Sequence, residues 1–209
     1  MVTKQEVLAW LNALTDTYNE NKQHLTKLDS AIGDADHGGN MARGFNKALE
    51  KLSTTEEKDI GKILKNIGMT LVSTVGGASG PLYGTFYMRA GGAVEGKDEL
   101  TDEEVVALFA AGLEGVLHRG KAEMGDKTMV DAMTPAVDAL REAVEAGDSL
   151  GDALQKAVDA AEQGMKDTIP LVAKKGRASY LGERSAGHQD PGATSTYLMF
   201  KAARETFAP

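Results

Sequence analysis

Ile60-Gly-Lys-Ile63-Leu64-Lys-Asn-Ile67-Gly-Met-Thr-Leu71-Val72-Ser-Thr-Val75 is the stretch that decides the fold class. Its apolar residues recur at i, i+3, i+4 and i+7 for about four turns, the period of an amphipathic helix. It is the strongest stripe in the chain, and no alternating strand pattern competes with it. Toward the N-terminus, Met41, Phe45, Ala48, Leu49 and Leu52 predict a helix starting near Gly38. Before it, a Thr3/Glu6 capping box heads a helix over about 3–22, marked by Val7, Leu8, Leu11, Leu14 and Tyr18. Toward the C-terminus, helices are predicted from Pro81 to about Val94, from a Thr101/Glu104 capping box to about Arg119, and from Thr128 through Val144. A Ser149-capped helix then runs through Met165 to an irregular end at Pro170, and a last helix opens at Pro191 and reaches about Glu205. Glycine, at 24 residues, is expected between the helices rather than within them. The expected architecture is all-α, one domain over residues 1–209, with consecutive helices as antiparallel neighbours.

The connections separate into two kinds. Residues 53–56, 95–100 and 146–148 read as plain polar turns. The others are long or glycine-rich: 23–37, Gly76-Gly-Ala-Ser79-Gly80-Pro81, Gly120 to Lys127, and Lys174 to Asp190. These follow the first, third, fifth and seventh predicted helices, so in an up-and-down array they emerge at one end. That rim is the expected active site.

Composition narrows the function. Lys and Arg total 23 against 31 Asp and Glu, a net charge of −8, which argues against nucleic acid or an anionic membrane as the main partner. The absence of cysteine removes disulfides and thiolate metal sites and fits a cytoplasmic protein. The N-terminus lacks a signal-peptide apolar region, and no apolar run reaches the roughly 18 residues of a membrane span.

The stretch Asp29-Ser-Ala-Ile-Gly-Asp34-Ala-Asp36-His37-Gly38-Gly39-Asn40 sets three carboxylates and a histidine beside a Gly-Gly pair. Hard oxygen ligands next to backbone that an anion can approach point to Mg²⁺ holding a phosphate, or to a solvated Asx turn before a helix. Glycines 76–80 offer amides to an anion at a helix start, or make a flexible turn. Gly120 to Thr128 resembles a Walker A motif, but Asp126 intrudes before Lys127-Thr128 and the flanks are helical. The last loop carries Lys174, Lys175, Arg177, Arg184 and His188, either a solvated basic run or the cationic half of a phosphoryl clamp. With three internal glycines and few large apolar residues, it is expected to bury little and to be mobile.

Taken in order, Asp29-x4-Asp34-Ala-Asp36-His37-Gly38, Gly76-Gly-Ala-Ser79-Gly80-Pro81-Leu-Tyr-Gly84, Arg119-Gly-Lys-Ala-Glu123 with Gly125-Asp-Lys-Thr-Met129, and Lys175-Gly-Arg177 through His188-Gln-Asp190-Pro-Gly192-Ala193 resemble the nucleotide-binding L subunits of bacterial dihydroxyacetone kinases. The resemblance covers essentially the whole chain. It implies an up-and-down barrel of eight antiparallel helices, with ADP or ATP and two Mg²⁺ at one rim. Carried over by position, Asp29, Asp34 and Asp36 would be metal ligands. Nucleotide contacts would come from His37, Gly38, Gly39, Asn40, Ala78, Ser79, Gly120, Met129, Arg177, Asp190, Pro191 and Gly192, with Arg177 also catalytic. The family transfers the γ-phosphoryl to dihydroxyacetone on a separate K subunit, and one branch keeps ADP bound and rephosphorylates it from a phosphoenolpyruvate phosphotransferase-system protein. Because the chain ends just after the last helix, the free-standing subunit with ADP as cofactor is the expected form. Alternatives are a nucleotide subunit of another kinase, such as a fatty acid kinase, and a regulatory module that docks without turnover. The oligomeric state stays open, a homodimer included.

Overall fold

The computed structural model describes residues 1–52 and 57–208. Among these, nine α-helices form: α1 (Lys4–Glu20), α2 (Lys22–Ile32), α3 (His37–Leu52), α4 (Ile60–Thr74), α5 (Ser79–Ala93), α6 (Asp102–Gly120), α7 (Val130–Glu145), α8 (Leu150–Asp167) and α9 (Pro191–Phe207). A 3-10 segment, broken by non-helical Gly182 (φ 55°), covers Arg177–Ser185. Helices α3 to α9 pack each against the next, and α1 closes the ring against both α3 and α9. The expected eight-helix barrel is therefore present, with α2 as an additional helix lying on α3.

Both capping boxes form as read: the Thr3 and Thr101 side chains accept the Glu6 and Glu104 amides, and the two glutamates reach back. Three expectations need correction. The first helix ends at Glu20 with Asn21 as its cap, and the supposed loop 23–37 is mostly α2, whose buried residues are Leu25, Asp29 and Ile32. A short antiparallel ribbon pairs β1 (Val2–Thr3) with β2 (Glu99–Leu100), tying the N-terminus to the connection after α5. The connection over 53–56 lies outside the described residues.

The third correction concerns glycine, part of which sits inside helices because two of them meet backbone to backbone. A Cβ at Gly68 would stand 2.6 Å from the Gly84 carbonyl, and one at Gly91 would stand 2.4 Å from that of Gly61. Hence α4 and α5 approach more closely than side chains permit. Gly84→Ala should lower stability by about 1–3 kcal/mol with helical circular dichroism retained, read from urea denaturation.

The interior of the ring is aromatic and aliphatic. Trp10, fully buried, lies 5.3–5.8 Å from the ring centroids of Phe207, Phe109 and Tyr87, and donates to the Met199 carbonyl at 3.3 Å. Tyr18 packs edge-on against Phe45 and donates to the Ser195 carbonyl at 2.9 Å. These contacts fasten α1 to α9 and hold the ring closed. Among the described residues no helix is long and apolar enough to cross a membrane.

Candidate active site

The connections before α3, after α4, after α6 and after α8 meet at one end of the barrel around a cavity of about 360 Å³. Its lining mixes two chemistries: Leu82, Val116, Ala122, Met129, Val130 and Pro191 are apolar, while Asp29, Asp34, Asp36, Lys175 and Arg177 are charged. A cavity lined by both suits a ligand with an apolar base and a charged tail.

Asp29 comes from the last turns of α2 and is almost buried. Its Oδ2 accepts the backbone N–H groups of Asp36 (2.8 Å) and His37 (3.1 Å), so the carboxylate caps the start of α3. Asp34 and Asp36 flank Ala35, which takes a left-handed φ of 62°. One carboxylate oxygen from each of the three aspartates lies within 4.8 Å of the others. Three anionic oxygens so close repel unless cations lie among them, and this hard-oxygen set, opening onto the cavity, fits Mg²⁺ with water or phosphate completing its shell. Gly33 was not singled out from sequence, yet a Cβ there would lie 2.0 Å from Asp29 Oδ1 and displace it.

The Gly-Gly pair has two different jobs. A Cβ at Gly38 would meet the Lys22 carbonyl at 2.1 Å, so Gly38 lets α3 lie against α2, whereas nothing lies within 4 Å of one at Gly39. Only Gly39 is open to a ligand. His37, Ala78, Ser79, Gly120, Met129, Arg177, Asp190, Pro191 and Gly192 line the cavity with the three aspartates; Gly38, Gly39 and Asn40 sit beside it on the first turn of α3. The Asn40 side chain is buried and accepts from Arg43 at 2.6 Å.

His37 joins two helix starts: Nδ1 lies 3.0 Å from Ser79 Oγ and Nε2 2.9 Å from Ser195 Oγ. Burial pushes its pKa down to about 4 against the opposing pull of Asp29 and Asp36, so the imidazole is neutral at pH 7. It orients Ser79 rather than supplying a positive charge. Gly77 at φ 65° turns the chain so that Gly77, Ala78 and Ser79 face the cavity at the start of α5.

Across the cavity, Asp131 accepts from the Gly125 amide (2.5 Å) and the Thr128 amide (2.7 Å), bracing the loop that presents Gly120 and Met129. The structure agrees with the sequence in giving this loop no Walker A role for its lysine. Lys127 is buried, and its ammonium donates to the carbonyls of Thr168 (2.5 Å), Ile169 (3.4 Å) and His188. Nothing in the spacing revealed this.

Asp190 caps α9 through the Ala193 amide at 2.7 Å. Burial pushes its carboxyl up to about 7, although the Ala193 amide and the Lys127 charge favour the ionised form. A carboxyl raised in the folded state stabilises most below its unfolded value and loses that contribution as pH rises through 7. Denaturation of Asp190→Asn and the parent protein in parallel should therefore show a parent advantage that shrinks from pH 4 to 7 and flattens above; a constant difference would contradict the burial argument.

The last loop is better anchored than its composition predicts. Ala178 and Leu181 pack on Ile32 and Ala173, Ser185 is buried and accepts from the Ala173 amide at 2.8 Å, and Arg177 Nε donates to Asp34 Oδ2 at 2.8 Å. Among residues 174–188 only Ala178 and Ser185 are buried, in line with the expectation that the loop buries little, but its apolar partner Ile32 comes from α2, which the sequence did not reveal as a helix. Of its basic groups, Lys175 and Arg177 line the cavity and Lys174 lies 3.8 Å from Asp126.

With this geometry in place, the comparisons are specific. A family model described as the DAK2 domain matches residues 31–205. The chain is 52% identical over 200 residues to the ADP-binding subunit DhaL of the PEP-dependent dihydroxyacetone kinase of Escherichia coli K12, covering 96% of this chain and 95% of that one. It is 41% identical to the ADP-binding subunit of the PTS-dependent dihydroxyacetone kinase of Lactococcus lactis, covering all of both. The crystal structure of the dihydroxyacetone kinase from C. freundii in complex with AMP-PNP and Mg²⁺ superposes with a TM-score of 0.72 at 30% identity, over 95% of this chain and 33% of that longer one.

Proposed function

We propose, from the premise that this chain belongs to the DAK2 domain family, that it is the phosphoryl-transfer subunit of a dihydroxyacetone kinase. In this reading one domain over residues 1–209 holds ADP or ATP with two Mg²⁺. It passes the γ-phosphoryl to dihydroxyacetone on a separate substrate-binding subunit, and the bound ADP is recharged by a phosphoryl-donor protein of the phosphotransferase system. The setting is cytoplasmic, and a homodimer is compatible with it. One observation carries the reading: three clustered carboxylates and Arg177, paired with Asp34, line one cavity together with a set of apolar residues.

Asp29, Asp34 and Asp36 would hold the magnesium ions, which when bound neutralise phosphate charge. The chain's own residues do the rest. Apolar Leu82, Val116 and Met129 take the base, and Gly39 with the amides at 77–79 gives the phosphates close backbone contact. Neutral His37 fixes the Ser79 hydroxyl. Arg177 brings a cation to the side of Asp34, where charge on the transferring group needs stabilising. Phosphoryl transfer depends mainly on placement and electrostatics, so no general base is asked of this chain.

Turnover of dihydroxyacetone to its phosphate with purified substrate-binding subunit tests the reading. Product should form only when both proteins and a phosphoryl source are present. Tight nucleotide binding with no turnover in that mixture would favour a regulatory module instead.

A further inference from the structure

Lys127 is a buried cation that the proposed chemistry leaves unused. It is 1% exposed and holds a left-handed φ of 64°, a conformation that costs a non-glycine residue about 1–2 kcal/mol. Ala35 and Lys121 share the left-handed φ, so what distinguishes Lys127 is where its side chain goes. An ammonium has three N–H donors, and three main-chain carbonyls receive them: Thr168 and Ile169 where the chain leaves α8, and His188 where it returns toward α9.

Those carbonyls are the two feet of the excursion that carries Lys175 and Arg177 over the cavity. Close by, the Gly187 amide donates to the Ile169 carbonyl (2.7 Å) and the Asp190 amide to Thr168 Oγ1 (3.0 Å), so the feet are also tied to each other. Lys127 itself directly precedes Thr128 and Met129 in the cavity wall, and His188 lies two residues before Asp190. Lys127 also lines the cavity, but its ammonium donors are turned to these three carbonyls.

We propose that Lys127 is a positioning residue for phosphoryl transfer: it staples both feet of the Arg177 segment to the loop bearing Met129, and so fixes Arg177 relative to the bound nucleotide. The inference rests on the functional reading above.

Lys127→Met keeps the stem and removes the staple. It should retain helical circular dichroism, weaken ADP binding about tenfold and lower kcat with the substrate-binding subunit by about tenfold or more. The decisive readout is a cycle with Arg177→Ala: in that background Lys127→Met should change kcat less than about twofold, because the group it positions is gone. Independent kcat losses that multiply would overturn the proposal, as would a Lys127→Met protein with unchanged kcat and KM. A variant that fails to fold would assign Lys127 to the barrel instead. Reductive methylation of the parent protein needs no variant: Lys127 should stay unmodified while Lys174 and Lys175 react, and equal modification would overturn the staple. If the parent protein binds no nucleotide, the functional reading falls and this inference with it. If the parent turns over normally and the cycle is multiplicative, this inference falls alone.

Discussion

Asp34→Ala is expected to lose nucleotide affinity by at least about 100-fold in the presence of Mg²⁺ while its helical circular dichroism stays that of the parent protein. The size follows from electrostatics. A diphosphate beside three carboxylates is repelled unless cations lie between them, and removing one ligand weakens the cation and the phosphate together. The fold is spared for a reason particular to Asp34. Asp29 caps α3 through two backbone amides, so its removal would mix binding with folding. Asp34 is exposed, and its ion pair with Arg177 is largely solvent-exposed and contributes little to stability. Calorimetric titration of ADP with and without Mg²⁺ checks it. Affinity unchanged from the parent protein would remove the cluster from the site, and unfolding with ample Mg²⁺ and ADP would make it structural.

Arg177→Ala is expected to lower kcat by about 100- to 1000-fold with a much smaller change in ADP affinity, since stabilisation of developing phosphoryl charge is felt mainly in the transition state. The side chain is mostly exposed and belongs to the 3-10 segment, whose packing rests on Ala178, Leu181 and Ser185 rather than on the guanidinium. The melting temperature should therefore move little. Single-turnover kinetics separate the effects: a fall in affinity with an unchanged transfer rate would make Arg177 a binding group only.

The barrel was legible because each of its eight helices carries a continuous apolar stripe, and because the odd and even connections differ in composition. That contrast placed four distant loops at one rim, where the cavity lies. Helix α2 escaped because its buried face is only Leu25, Asp29 and Ile32, and a carboxylate on the inner face reads as a loop ligand. The paired glycines of α4 and α5 escaped because glycine in a helix marks close approach only once the partner helix is known. The Lys127 staple binds main-chain carbonyls, and main-chain partners leave no trace in side-chain spacing. For the same reason the sequence offered Gly38 and Gly39 as equals, though one packs against α2 and the other is open.

The most direct test of the central claim follows one phosphoryl group. The protein is loaded with ATP labelled at the γ-position, freed of unbound nucleotide, and mixed with the substrate-binding subunit and dihydroxyacetone. The expected result is transfer of the label to dihydroxyacetone phosphate in a single turnover, with ADP still bound to this chain; label remaining on the nucleotide, with both proteins folded and dihydroxyacetone bound, would contradict the account.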